Sequence, residues 1–356
     1  MDKRYWSSRI RDLVPYTPGE QPRERQFIKL NTNENPYPPS PRVLEAIRES
    51  WGEGLRLYPD PEAAGLRQAI ASYHHLSPEQ VFCGNGSDEV LGLCFYAFFS
   101  PGKKVVFPNI TYSFYPVYAR LFQLDFEELP LNEDFSLPVD RFLGGNGGAV
   151  ICNPNAPTGK ALPLEDIRRI LAANPDAVVM VDEAYADFGA QSAVALLGEF
   201  PNLVVIHTLS KSRSLAGMRI GYALGSPDLM AAAGCVKNSF NSYPLDRLAL
   251  AAGQAAMEDV DYFEWTRRQI MATRDHTAAR LKELGFTVLD SNANFLFLSH
   301  PAVSGPELQQ GLRDRGILVR RFDRPERIRN YLRVSVGTDK DMAAFCAACE
   351  EILKGL

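Results

Sequence analysis

Six short apolar runs lie between residues 81 and 207: Val81–Cys83, Lys104–Phe107, Phe126–Leu129, Gly148–Cys152, Val178–Val181 and Leu203–His207. Their rhythm constrains the fold more than any other feature of the chain. Most are continuously apolar rather than alternating, the pattern of strands covered on both faces. Between several of them apolar residues recur at helical spacing, as in Glu89–Phe99 and Ser113–Leu121. Strands and helices that alternate in this way build a mainly parallel sheet between helix layers, because a parallel connection needs a crossover long enough to hold a helix. The predicted class is α/β, with loops at the carboxyl ends of the strands available for a ligand.

The flanks read differently. Residues 1–39 are rich in proline, asparagine and charge with little periodicity, which predicts an extended arm. A helix is expected from Ser40 to Trp51 after a Ser-Pro start, and another over Leu66–Tyr73. Beyond Pro244 the alternation stops. A long helical stretch over Asp261–Leu284 leads to strands at Phe286–Leu298, Gly316–Arg321 and Tyr331–Val336, with helices at Pro306–Arg315 and Asp339–Leu353. The expected division is an arm (1–39), a large α/β domain (40–245) and a small α+β domain (246–356) that the arm joins. A chain of 356 residues is long enough for two such cores.

Composition excludes several partners. A net charge of -5 offers no basic stripe for nucleic acid. Basic residues concentrate only between Arg313 and Arg333, which suits a small anionic metabolite better than a phosphate backbone. No apolar run approaches the ~20 residues that span a bilayer, and the first residues lack the apolar core of a signal peptide. A cytoplasmic protein is expected, with its six cysteines as reduced, mostly buried thiols. Cys346 and Cys349 have no second pair or nearby histidine to complete a zinc site, so no metal is expected. His74-His75 reads as a solvated helix end.

The chemistry concentrates around Lys211, which follows Val-Val-Ile-His-Thr-Leu-Ser at 204–210 and precedes Ser-Arg-Ser-Leu-Ala-Gly-Met-Arg at 212–219. An amine that forms a Schiff base needs a fixed place at the end of a rigid element, and a nearby hydroxyl and guanidinium suit a phosphate-bearing cofactor. Upstream, Asp182 closes Val-Val-Met-Val and Tyr185 follows it. An unpartnered buried carboxylate is costly, so Asp182 either reaches solvent or meets a cation, and a protonated pyridine nitrogen is such a cation. Gly86-Ser87-Asp88 opens a helix, where free backbone N–H groups can bind an anion.

These motifs resemble those of fold-type I, pyridoxal-phosphate-dependent aminotransferases, and within them the histidinol-phosphate aminotransferase family of histidine biosynthesis. Further pieces carry the narrower resemblance: Leu-Asn-Thr-Asn-Glu-Asn-Pro-Tyr at 30–37, Tyr-Pro-Asp-Pro at 58–61, Gly-Asn-Gly-Ser-Asp-Glu at 84–89, Asn-Pro-Asn-Ala-Pro-Thr-Gly at 153–159 and Tyr-Leu-Arg-Val-Ser-Val-Gly-Thr at 331–338. The resemblance implies a homodimer with shared active sites and a large domain with a mainly parallel sheet beside a smaller α+β domain. It implies that Lys211 links the cofactor and shuttles the proton, that Asp182 keeps the pyridine nitrogen protonated, and that Tyr185 hydrogen-bonds the phenolic oxygen. Gly86, Ser87, Asp88, Ser210 and Arg219 would hold the phosphate, joined by Tyr58 from the partner subunit. Tyr112 would stack on the ring, with Tyr115 and Tyr118 as packing residues. Ala156 stands where the family more commonly has asparagine, and Asn155 is the expected substitute. Arg333 is expected to clamp the α-carboxylate and Arg320 a distal phosphate or carboxylate, with Tyr16 and Asn33 closing over the substrate. Threonine-phosphate decarboxylases and broad aromatic aminotransferases share these motifs and stay open as alternatives.

Overall fold

The computed structural model describes residues 3–21 and 26–355. The arm contributes one strand, β1 (Ile28–Leu30). Seven more, β2 (Val81–Asn85), β3 (Val105–Pro108), β4 (Phe126–Leu129), β5 (Gly148–Cys152), β6 (Val179–Asp182), β7 (Leu203–Thr208) and β8 (Ile220–Gly225), form one sheet in the order β2-β8-β7-β6-β5-β3-β4. All share one direction except β8, which pairs antiparallel with both β2 and β7. Strands β2 to β7 are the six apolar runs; β8 was missed because Gly221 and Gly225 depress its strand signal. Gly221 is there for closeness: a Cβ on it would stand 2.3 Å from the Ser87 backbone nitrogen.

Helices cover both faces. In the large unit these are α1 (Pro41–Ser50), α2 (Ala64–His74), α3 (Gly86–Phe98), α4 (Tyr115–Leu121), α5 (Leu164–Ala173), α6 (Pro227–Phe240) and α7 (Arg247–Glu258). Side chains alternate along the central strands: Val150, Met180, Val204 and Ile206 enter one core layer, and Ala149, Ile151, Val179, Val181 and Val205 the other. This double burial is why the strands read as continuous apolar runs. Ser40 begins α1 by accepting from the Val43 N–H, with Pro41 at the first position where its missing donor costs nothing. Ala249, Ala252, Ala256 and Met257 of α7 join the same core as Leu66 and Ile70 of α2. Helix α7, just beyond residue 245, thus packs in the core layer of the large sheet.

The second sheet holds β9 (Thr287–Val288), β10 (Phe295–Ser299), β11 (Ile317–Arg321) and β12 (Leu332–Ser335) in the order β1-β11-β12-β10-β9. Arm strand β1 enters it in parallel, with Ile28 opposite Ile317. Helices α8 (Val260–Glu283), α9 (Gly305–Asp314) and α10 (Asp339–Lys354) follow the predicted helical patterns, the last two opened by capping boxes Ser304/Glu307 and Thr338/Asp341. The single strand expected over Phe286–Leu298 is instead two, because Asp290-Ser-Asn-Ala-Asn between them carries turn chemistry.

Two surface expectations are corrected. His74 is not a solvated helix end: its Nε2 lies 2.9 Å from the Tyr222 hydroxyl, and burial, helped by nearby His207, pushes its pKa down to about 2. Cys235 is exposed rather than a buried hydrophobe, although all six thiols are free. Among the described residues no helix is long and apolar enough to cross a membrane.

Candidate active site

The carboxyl ends of β5, β6 and β7 and the first turn of α3 border a cleft of roughly 740 Å³. Lys211, Asp182, Tyr185, Ser210, Arg219 and Tyr112 line it from the large unit, and Tyr16, Arg320 and Arg333 from the arm and the second sheet. Residues separated by hundreds of positions meet here because parallel strands end together and β1 ties the arm to β11.

Asp182 ends β6 and is 3% exposed. Its Oδ2 accepts from the Tyr115 hydroxyl at 2.7 Å and its Oδ1 from the Ala184 N–H at 3.2 Å. Burial pushes its pKa up to about 6, against the pull of those two donors. The carboxyl thus has donors but no salt bridge among the described residues, an arrangement that suits a cationic ring nitrogen brought by a ligand. Tyr115, read from sequence as packing, is the functional residue that reasoning missed. The signal was available in principle: a phenol on the buried face of a helix needs a partner for its hydroxyl, and Tyr115 is fully buried. Next along the chain, Glu183 turns away from the cleft, accepting from the Ala193 N–H and the Ser192 hydroxyl with His207 Nε2 at 3.2 Å.

Lys211 Nζ donates to the Thr32 carbonyl at 3.1 Å, and Asn35 Nδ2 donates to the Lys211 and Ser212 carbonyls, both at 3.1 Å. Burial, with the Arg333 charge beside it, lowers the amine's pKa to about 8. A workable fraction is therefore the neutral nucleophile near physiological pH.

Helix α3 begins at Gly86 without a side-chain cap, and its first-turn residues Ser87 and Asp88 line the cleft, the kind of helix start that can receive an anion. Arg219, held at φ 52 in the left-handed region, places Nη2 3.2 Å from Asp88 Oδ2 and Nη1 3.5 Å from Ser210 Oγ. Glycine suits position 86 because its φ of 79 lies in the left-handed region, and a Cβ there would also displace the guanidinium, which it would meet at 2.5 Å. Tyr112 donates to Asp88 Oδ1 at 2.7 Å, which fixes its ring at the cleft wall. Thr208, also unforeseen, accepts from the Ser210 N–H and donates to its hydroxyl.

Arg320 and Arg333 stand directly opposite one another on β11 and β12. Like charges in that register are unfavourable without an anion between or beside them. Arg333 is partly buried, donates through Nη2 to the Asn31 carbonyl at 3.1 Å, and keeps a buried Nε with no partner. Burial lowers its pKa. Arg320 donates to the Thr17 and Pro18 carbonyls and so pins the arm that carries Tyr16. Tyr16 stacks on Phe114, 4.8 Å between centroids.

Three expected site residues sit elsewhere. Asn155 points its amide to the Ile110 carbonyl and the Thr158 hydroxyl, outside the cleft lining, and its Oδ1 is buried without a partner. Asn33 does not face the substrate space; it is 1% exposed and lies behind Tyr185. Tyr58 is 79% exposed and stacks on Tyr243 at 4.7 Å, away from its own chain's cleft.

The residues present fit a pyridoxal-phosphate group by their donor set: a buried carboxyl lacking a cation, a lysine at a strand end, and a glycine-lined helix start beside an arginine. Residues 25–349 match the model of the family described as aminotransferase class I and II. The chain is 54% identical to a histidinol-phosphate aminotransferase of Clostridium acetobutylicum, covering 98% of this chain and 99% of that one. It is 56% identical to histidinol-phosphate aminotransferase 1 of Methylococcus capsulatus over 99% of this chain and 98% of that one. Among solved structures, the Sinorhizobium meliloti histidinol-phosphate aminotransferase in complex with pyridoxal-5'-phosphate superposes with a TM-score of 0.84 at 26% identity, covering 93% of this chain and 92% of that one. With its mostly parallel sheet, its strand-end lysine and these relatives, the chain belongs to the aminotransferase class I and II family.

Proposed function

We propose that the protein transfers the amino group of L-histidinol phosphate to 2-oxoglutarate, giving imidazole-acetol phosphate and L-glutamate, with pyridoxal phosphate as its resident cofactor. The observation that carries this reading is the facing pair Arg320 and Arg333 at the cleft. Two cations in one register suit the two carboxylates of glutamate in one half-reaction and the single, doubly charged phosphate of a phosphorylated amine in the other. The relatives above 50% identity bear the same activity in their names.

When bound, the cofactor supplies an electron sink for the bond broken at the substrate Cα. Asp182 would hold a proton on the pyridine nitrogen, and Tyr185 would donate to the phenolic oxygen. The α3 N–H groups at Ser87 and Asp88, with Ser210 and Arg219, would hold the phosphate, and Tyr112 would cover the ring. Lys211 would hold the cofactor aldehyde and, once displaced, move the proton at the substrate Cα as a neutral amine. Arg320 and Arg333 would orient the substrate.

A second copy of the chain completes this reading. Trp51 and Tyr58 flank the turn at 51–58 and Phe240 ends α6, at 73%, 79% and 82% exposure, and exposed apolar side chains of this size suit burial against a symmetric partner. Tyr58 would reach from that turn to the partner's phosphate. The same reading places the enzyme in the cytoplasm, where buried thiols such as Cys83 and Cys94 stay reduced.

The test is a donor comparison on the reconstituted protein: kcat/KM for L-histidinol phosphate, phenylalanine, tyrosine and L-threonine O-phosphate with 2-oxoglutarate, with carbon dioxide followed in the last case. Preference for histidinol phosphate is expected. Preference for an aromatic donor would retain transamination and reject the substrate, and release of carbon dioxide from the threonine ester would reject both.

A further inference from the structure

Consecutive arm residues just after β1 each hold one group of the cleft. The Asn31 carbonyl accepts from Arg333, the Thr32 carbonyl from Lys211, and Asn33 Nδ2 donates to the Tyr185 hydroxyl at 3.0 Å. The third contact differs from the other two because it decides where a proton points.

The amide of Asn33 is held in one orientation by its contacts. Its Oδ1 accepts from Ser335 Oγ at 2.9 Å, and the same Ser335 oxygen accepts from the Asn33 backbone N–H at 2.8 Å. Asn294 Nδ2 holds the Asn33 carbonyl at 3.0 Å. With the amide oxygen committed to a hydroxyl that has only one hydrogen to give, the NH2 is left to face Tyr185. The backbone there is at φ 57, a left-handed conformation that asparagine and aspartate tolerate best among residues with side chains. A buried residue in that conformation marks a position over-determined by its surroundings.

We infer that Asn33 is a positioning residue that sets the polarity of Tyr185: an amide NH2 can only donate, so the phenol accepts from it and must direct its own hydrogen elsewhere, into the cleft. Burial pushes the Tyr185 phenol up to about 12, so that hydrogen is retained across the working range. The inference rests on the reading of the cleft as a pyridoxal-phosphate site, where Tyr185 would aim that hydrogen at the cofactor's phenolic oxygen. It also accounts for a chain with alanine at position 156: the amide partner in this environment comes from the arm, and Asn155 is committed to Ile110 and Thr158.

Asn33→Asp tests it. Aspartate keeps the shape, the left-handed backbone and the Ser335 contact, but it replaces a donor with an acceptor, so Tyr185 must give its hydrogen to residue 33. The readout is the pH midpoint of the cofactor's visible absorption band in the reconstituted protein, measured in wild type, Asn33→Asp, Tyr185→Phe and the double variant. Asn33→Asp should raise the midpoint by about one unit, a tenfold change in the protonation equilibrium. In the Tyr185→Phe background the shift should largely vanish, because the effect passes through the phenol. An equal shift in both backgrounds would mean that the added charge acts directly, and no shift in either would leave Asn33 without this role; both overturn the inference. If Asn33→Asp does not fold, Ser335→Ala lets the amide turn and should raise the midpoint by a smaller, Tyr185-dependent amount, with an unmoved midpoint overturning the idea equally. A wild-type protein that develops no visible band with pyridoxal phosphate would instead reject the underlying cofactor reading.

Discussion

Asp182→Asn should make the cofactor-free protein less sensitive to alkaline pH than the wild type. Burial raises the Asp182 pKa from an ordinary value of 3.8 to about 6, so the folded protein holds this proton more tightly than the unfolded chain. As pH climbs from about 4, the unfolded chain releases the proton first and stability falls, until the cost is complete above pH 6. Two pKa units correspond to about 3 kcal/mol, roughly half of which is already present at pH 5. Between pH 5 and pH 8 the wild type should therefore lose about 1 to 2 kcal/mol that the asparagine variant does not. Asparagine sacrifices one acceptor for the Ala184 N–H, worth about 1 kcal/mol, but that loss is the same at both pH values and drops out of the comparison. Urea unfolding of both cofactor-free proteins at pH 5 and pH 8 measures it directly. Parallel pH dependence in the two proteins would refute the claim that Asp182 carries an uncompensated burial cost.

Four further outcomes follow from the same geometry. Tyr115→Phe removes the 2.7 Å donor to Asp182, so the carboxyl's pKa should rise further and the pH-dependent loss of stability in the cofactor-free protein should move to higher pH; an unmoved profile contradicts the contact. Lys211→Ala should abolish turnover and the borohydride-reducible link to pyridoxal phosphate, and in the wild type the rate of link formation should rise with pH through about 8 as the amine becomes neutral, which stopped-flow absorbance would show. Arg320→Ala should lower kcat/KM for a phosphorylated donor about ten- to a hundredfold more than for an aromatic amino acid, since a charge-assisted hydrogen bond is worth roughly 1.5 to 3 kcal/mol; taking the ratio removes the shared effect of freeing the arm at Thr17 and Pro18. Leu57→Glu, on the exposed apolar turn beside Tyr58, should dissociate a dimer in sedimentation at micromolar concentration, and an unchanged sedimentation coefficient would place the interface elsewhere.

The strands and helices that depend on local pattern were legible: continuous apolar runs became β2 to β7, and the Ser-Pro start became the cap of α1. Asp182 was legible because a carboxylate is out of place closing an apolar strand, and Lys211 and Arg219 because their motif resembles the family's; the cleft gathers all three. What stayed hidden depends on contacts between distant segments. Tyr115 looks like any helix aromatic until β6 brings Asp182 beneath its hydroxyl. His74 looks like a helix end until Tyr222 on β8 covers it, and β8 itself was masked by the glycines that let it approach α3. Asn33 and Asn155 were assigned by motif position, but a side chain's direction depends on the backbone beneath it. A left-handed residue in the arm and a loop between two prolines turn both amides away from the space where a sequence places them.

The cleft also shows why its residues are individually poor choices for stability. Asp182 is buried without a cation, Arg320 faces Arg333 across two strands, Arg333 keeps an unpartnered Nε, and Lys211 is pressed toward its neutral form. Each arrangement opposes folding by an amount that the two apolar layers around the large sheet can absorb. Each is also relieved by a particular part of a ligand: a ring cation for Asp182, anionic groups for the arginines, an aldehyde for the amine. A ligand that lacks one of those parts would leave the corresponding mismatch in place. On the proposed reading, selectivity for a substrate that brings two negative charges, as two carboxylates or as one phosphate, would follow from the arginine pair without any need for the cleft to change shape.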